Sequence, residues 1–129
     1  MEFLYSFANA SLTQRILVYL LTKVRSHLDD VTVIFLNDRW IVRLKLDSSL
    51  ETEQSKDFQA FLNEHGLPYH PPLAVTLALK DLDQGDIPTL VMNRRQVVIV
   101  SHGIPNLEEI RYFQEQFVAG LGYCPQSLV

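Results

Sequence analysis

Residues 31–46 read VTVIFLNDRWIVRLKL, two runs of β-branched and aromatic residues on either side of Asn37-Asp38-Arg39. Side chains alternate across a strand, so Trp40, Val42, Leu44 and Leu46 share one face while Ile41, Arg43 and Lys45 share the other. This pattern predicts a β-hairpin with a core-facing side and a solvated side, bent at the Asn-Asp turn.

Upstream, Leu12, Ile16, Tyr19, Leu20, Val24 and Leu28 recur at the three- and four-residue spacing of one helix face. A first helix over about 9–28 follows, with Ser11 and Gln14 as a capping box and Asn9 as a competing N-cap. Leu17, Val18 and Leu21 widen its apolar surface beyond one stripe. Downstream, Ser48 and Glu51 make a capping box for a second helix reaching His65. That helix buries Leu50, Phe58, Phe61 and Leu62, and Gly66 is its C′ residue.

Leu67–Pro72, LPYHPP, is a stiff extended linker, because each proline fixes φ and removes a donor. In LAVTLALKD, residues 73–81, Leu73, Val75, Leu77 and Leu79 alternate like a strand, although the alanines also suit a short helix; the strand is preferred. DLDQGD, 81–86, reads as a polar turn. TLVM and QVVIVS then read as two strands joined at Asn93-Arg94-Arg95. A last helix begins at Asn106 with Glu109 at N3, and Leu107, Ile110, Phe113, Phe117 and Leu121 face inward until Gly120 or Gly122. The order α-β-β-α-β-β-β-α lacks a βαβ rhythm. It predicts a single α+β domain over 1–129, with a mainly antiparallel five-stranded sheet and three helices on one face.

Composition narrows the function classes. With 47% apolar and 20% charged residues, the chain is a folded globule and not a disordered tail. Fifteen carboxylates against 11 Lys and Arg, with no basic stripe, argue against a nucleic-acid surface. The longest apolar run, Ile16–Leu21, is far short of the ~20 residues that span a bilayer. Cys124 is the lone cysteine, which removes internal disulfides and fits a reducing, cytoplasmic setting. The N-terminus carries Glu2 and no basic region, so it does not read as a secretory signal.

Pro88, after Ile87 and before Thr89, followed by a hairpin and a helix, resembles the second half of a thioredoxin-like domain over residues 86–121. The resemblance implies a cis Ile87-Pro88 bond and a central strand starting at Thr89. No cysteine precedes residue 124, so the redox pair of that family is missing and only a non-redox binding module is implied. The count of three helices and five antiparallel strands is also similar to that of small acidic secretion-chaperone-like domains, which often dimerise, though no motif carries that likeness.

Candidate chemistry is sparse. His102, between Ser101 and Gly103 at a strand end, has the character of a general base near neutral pH, and Asp81 or Asp83 would be its partner in a small enzyme. No GxSxG or comparable nucleophile motif accompanies it. His27, His65 and His70 lack metal-ligand spacing, and 81–92 breaks the calcium-loop pattern, with Gly85 at position five, Asp86 at six and Met92 at twelve. Neither metal nor cofactor is implied. The reading that remains is a non-enzymatic domain, chaperone-like or adaptor-like, that binds a protein partner or itself. Phe3, Tyr5 and Phe7 in the aromatic N-terminal FLYSF would be its anchors, with Arg94 and Arg95 exposed at a hairpin tip to meet an acidic partner.

Overall fold

The computed structural model describes residues 2–47, 51–103, 107–113 and 115. At its centre lies the hairpin, β2 (Leu28–Leu36) and β3 (Arg39–Leu46), which follow β1 (Glu2–Phe7) and α1 (Ala10–Lys23). Asn37 and Asp38 take left-handed φ of 53° and 60°, the conformation that a two-residue turn needs to match strand twist; Asn and Asp tolerate it best after glycine. Counting back from that turn places Phe35 opposite Trp40, Val33 opposite Val42 and Thr32 opposite Arg43. The chain continues through α2 (Thr52–His65), β4 (Leu67–Pro68), α3 (Leu73–Asp83), α4 (Pro88–Arg95), β5 (Val98–Gly103) and α5 (Leu107–Phe113). The sheet is five-stranded and antiparallel, in the order β4-β1-β3-β2-β5.

The first face carries the expected core. Trp40, Val42, Leu44 and Leu46 pack with Ile16, Leu17 and Leu20 of α1, Phe58 and Leu62 of α2 and Ile110 of α5. Asn9 is the N-cap of α1, its side chain accepting from the Leu12 N–H at 2.9 Å, so the competing cap prevails over Ser11. Lys23 ends that helix and Leu28 already belongs to β2. For α2 the capping box is Glu51 with Gln54, one turn later than the Ser48 pairing. Ser48, Leu50, Asn106, Phe117, Gly120, Leu121, Gly122 and Cys124 lie outside the described residues.

FLYSF lies within a strand, β1. Its aromatic residues recur with period two, which sets Tyr5 beside Val42 and Phe7 beside Trp40 in the β1–β3 pairing and points their rings into the first core. Tyr5 and Phe7 are buried there, and Phe3 meets the Phe58 ring edge-on at 5.4 Å. Tyr5 and Phe7 are thereby withdrawn from the surface, and Phe3 is half-buried.

The second face departs furthest from expectation, because residues 73–95 form two helices in place of strands. Val75, Ala78, Leu79 and Leu82 of α3 gather at helical spacing onto Ile34, Ile41 and Ile99, with Val91 and Met92 of α4. Pro88 occupies the first turn of α4, where its missing N–H is no loss, and Gln96 closes that helix at φ 60°. With no cis peptide among the described residues and Pro88 opening a helix, the thioredoxin-like reading fails. Among the described residues, strand β5 lies at the sheet's edge and pairs only with β2. The expected solvated side of the hairpin is therefore roofed, and Ile41 and Arg43 are 1% and 2% exposed. Helices cover both faces of the sheet, five in all among the described residues against the three expected.

Gly66 stands at the end of α2, where a C′ glycine was expected, but its φ of −153° is ordinary extended backbone. What requires glycine is proximity, since a Cβ there would lie 2.5 Å from the Phe7 ring and 2.6 Å from the Ser6 carbonyl oxygen. Because the carbonyl belongs to a paired strand and cannot swing away, Gly66→Ala is expected to lower stability by about 1–3 kcal/mol. Urea denaturation of the two proteins measures it; an unchanged midpoint would show that β1 gives way easily.

Candidate functional site

Polar side chains concentrate at one end of the second face. The hairpin register sets Thr32 beside Arg43, and the β2–β5 pairing sets Thr32 beside His102. An extra residue in β5, Val100, interrupts that pairing: Ile34 faces Ile99 while Val33 faces Ser101. Such a bulge reverses the alternation and turns His102 onto the Arg43 face. Asp83, the last residue of α3, descends onto the same spot.

Arg43 organises the group. Its Nη1 and Nη2 hold the two Asp83 carboxylate oxygens at 2.9 and 2.8 Å, the planar fork that only arginine offers. Nη1 also reaches the Leu79 carbonyl at 3.5 Å, and Nη2 donates to Thr32 Oγ1 at 3.3 Å. Asp83 takes a second cation, Lys45 Nζ, at 2.8 Å. Glu2 and Asp30 each stand 3.9 Å from the guanidinium. Partial burial pushes the Asp83 carboxyl up, but hydrogen bonds from Lys45 and Arg43, with their charges, outweigh it and hold the group below the usual carboxylate range.

His102 joins this network through Thr32, whose Oγ1 lies 2.8 Å from its Nδ1. The hydroxyl accepts from Arg43 and has one hydrogen to give, so the pairing that satisfies all three places the His102 ring proton on Nε2. Asp30 Oδ1 is 3.6 Å from the same Nδ1 and, like Arg43 Nε and Ser101 Oγ, is buried without a hydrogen-bond partner among the described residues. The structure thus links His102 to Asp83 through Thr32 and Arg43. Asp81 is kept apart.

Asp81 belongs to a second cluster between α3 and α4. Its carboxylate takes Arg95 Nε at 2.8 Å and Nη2 at 3.2 Å, with Arg94 Nη1 at 3.3 Å, and Arg94 also meets Asp86 at 3.1 Å. The Arg95 hydrogen bond is the main reason the Asp81 carboxyl titrates below its ordinary value. Arg94 and Arg95 are accordingly the last turn of a helix, paired within the chain, and not the tip of a hairpin. His27 and His65, expected at helix ends, pair with Asp47 and with the Phe61 carbonyl.

Arg43 and Lys45 read in the sequence as residues of a solvated strand face, and Asp30 and Thr32 carry no signal of a site. A charged residue between Val42 and Leu44 is the signal that was available. Among the described residues no three His, Cys, Asp or Glu side chains gather as a metal site. On the opposite side of the molecule, a shallow groove of about 290 Å³ runs between α1 and α2, lined by Tyr19, Lys23, Val24, Gln54 and Asp57. No helix among the described residues is long and apolar enough to cross a membrane.

No family model matches the chain, and no curated protein matches it. Among solved structures the fold is similar to the crystal structure of the C-terminal domain of YpbH, with a TM-score of 0.51 over 87% of this chain and 97% of that one. Identity is 15%, so the likeness is one of fold.

Arg43 is irreplaceable by a like charge if its fork is what matters. Arg43→Lys, which keeps the cation and loses the second hydrogen bond to Asp83, is expected to lower stability by about 1–2 kcal/mol in urea denaturation. The folded carboxyl of Asp83 is depressed, so its stabilisation is present above the ordinary carboxylate pKa of about 3.9 and fades as pH falls through the lower folded value. Asp83→Asn should therefore weaken the protein at pH 7 and converge with the parent near pH 2. A constant gap at both pH values would assign the effect to packing.

Proposed function

We propose that this chain is a non-enzymatic protein-binding domain, and that it meets its partner through the α3–α4 layer and the segment leading into it. One distribution supports the reading. Among the described residues the most exposed large apolar side chains are Leu73 at 72%, Leu67 at 63%, Ile87 at 59%, Tyr112 at 54% and Leu90 at 52%. Four of these five come from residues 67–90. Two pairs of charges in the same layer are turned to one another, Asp81 to Arg95 and Asp86 to Arg94, so the exposed leucines stand among exposed polar side chains such as Thr76, Lys80 and Asn93. Exposed leucines on a layer whose other apolar residues are buried suit an interface.

A general-base role for His102 finds less support. Its Nδ1 is engaged by Thr32, and Asp83, its expected acidic partner, carries two cations. The lone cysteine of the sequence suits work in a reducing compartment such as the cytoplasm.

A photo-crosslinking residue placed at Leu73 or Leu90, and at Lys56 on the exposed side of α2 as control, tests the proposal in native cells. Adducts of discrete mass are expected from 73 and 90 and not from 56, and an adduct of twice the chain mass would make the partner a second copy. The absence of adducts at 73 and 90, or equal adducts at all three positions, would sink the reading.

A further inference from the structure

We propose, on the strength of the protein-binding reading, that Tyr69–Pro72, flanked by Leu67 of β4 and Leu73 at the start of α3, is a preformed polyproline-type ridge read by a partner groove lined with aromatic rings. The two most exposed leucines among the described residues bracket it, and Pro68, His70 and Pro72 between them are exposed as well.

The backbone has little freedom to be anything else. Pro68, Pro71 and Pro72 fix their own φ, and each restricts the residue before it to extended conformations; Pro72 stands at φ −66°, ψ 166°. Both ends are anchored. Leu67 and Pro68 pair with Ser6 and Tyr5, the Tyr69 N–H donates to the Leu4 carbonyl at 3.0 Å, and the Pro72 carbonyl accepts from Val75 and Thr76 at the start of α3. Tyr69 turns inward to the second core, where burial raises its phenol pKa, which leaves the outward side to leucine, proline and histidine. Ordering of the ridge is thus completed in folding, and a partner bears none of that entropy loss.

The same residues define the partner. Three prolines bring no N–H, so another strand cannot add along the ridge, and strand exchange with a second copy is ruled out at this edge. From Asp57 to Leu79 the chain has no Lys or Arg, so the ridge offers an acidic pocket no permanent cation. Proline rings and leucine side chains on a backbone that prolines hold extended fit aromatic rings that stack on them and ring N–H or O–H groups that donate to backbone carbonyls between them.

The experiment titrates the isotope-labelled full chain with a panel of purified WW domains, whose grooves are of this kind, and follows amide chemical shifts. Saturable shifts centred on Leu67, Tyr69, His70 and Leu73 are expected. Leu73→Ala, at a side chain the core does not use, should weaken binding about tenfold, and Pro71→Ala with Pro72→Ala should do the same with the melting temperature retained. No saturable shift at millimolar module, shifts centred on another element, or undiminished affinity in both variants would overturn the ridge. If adducts at Leu90 persist while the titration is blank, the protein-binding reading stands and the ridge alone is lost; loss of both removes the common premise.

Discussion

A guanidinium in the middle strand of the sheet, 2% exposed, is the constraint on which the second half of the fold turns. A cation withdrawn from water must be given hydrogen-bonding partners or it destabilises the state that buries it. Arg43 receives the fork of Asp83 and the hydroxyl of Thr32, and the first of these can arrive only if α3 ends over the β3 strand. The apolar residues of α3 and α4 cover Ile34, Ile41 and Ile99 in the same act. The ion pair sets where the roof sits, and the buried leucines and valines hold it down. Removing only the charge on α3 leaves the arginine short of an acceptor, which is costlier than never having had either group.

Much of the first face was legible because its signals agree. Alternation in Trp40, Val42, Leu44 and Leu46, the helical period of Ile16, Leu20 and Val24, and the Asn-Asp turn all describe one core. Residues 73–95 were harder because two periods coincide: Val75 and Leu79 lie on one face whether the chain is read in twos or in turns of 3.6. Only Ala78 and Leu82 break the tie, and they favour the helix. Pro88 opens helices as readily as edge strands, so it could not decide the matter. In FLYSF the alternation was visible, but a strand's partner is set by long-range pairing, and β1 finds β3 across the whole of α1 and β2.

The polar cluster shows a second kind of illegibility. His102 was singled out, and its neighbourhood was half anticipated in Asp83, yet the route between them runs through Thr32 and Arg43, residues that look like ordinary strand positions. Simple alternation from Ile99 would send His102 to the first face. One extra residue at Val100 sends it to the other, and no local sequence rule announces a bulge there. Asp81 and Asp83, two residues apart, end in separate ion-pair clusters because successive helix positions diverge by a large angle around the axis.

The prolines beside β4 have a further consequence for how copies of this chain can assemble. A sheet grows only from an edge that offers both donors and acceptors, and the β4 edge is short of donors. That protection is local, since β4 pairs with β1 only at Tyr5 and Ser6. The prolines thus act as a local safeguard, leaving the stretch of edge that β4 covers a poor template for a further strand.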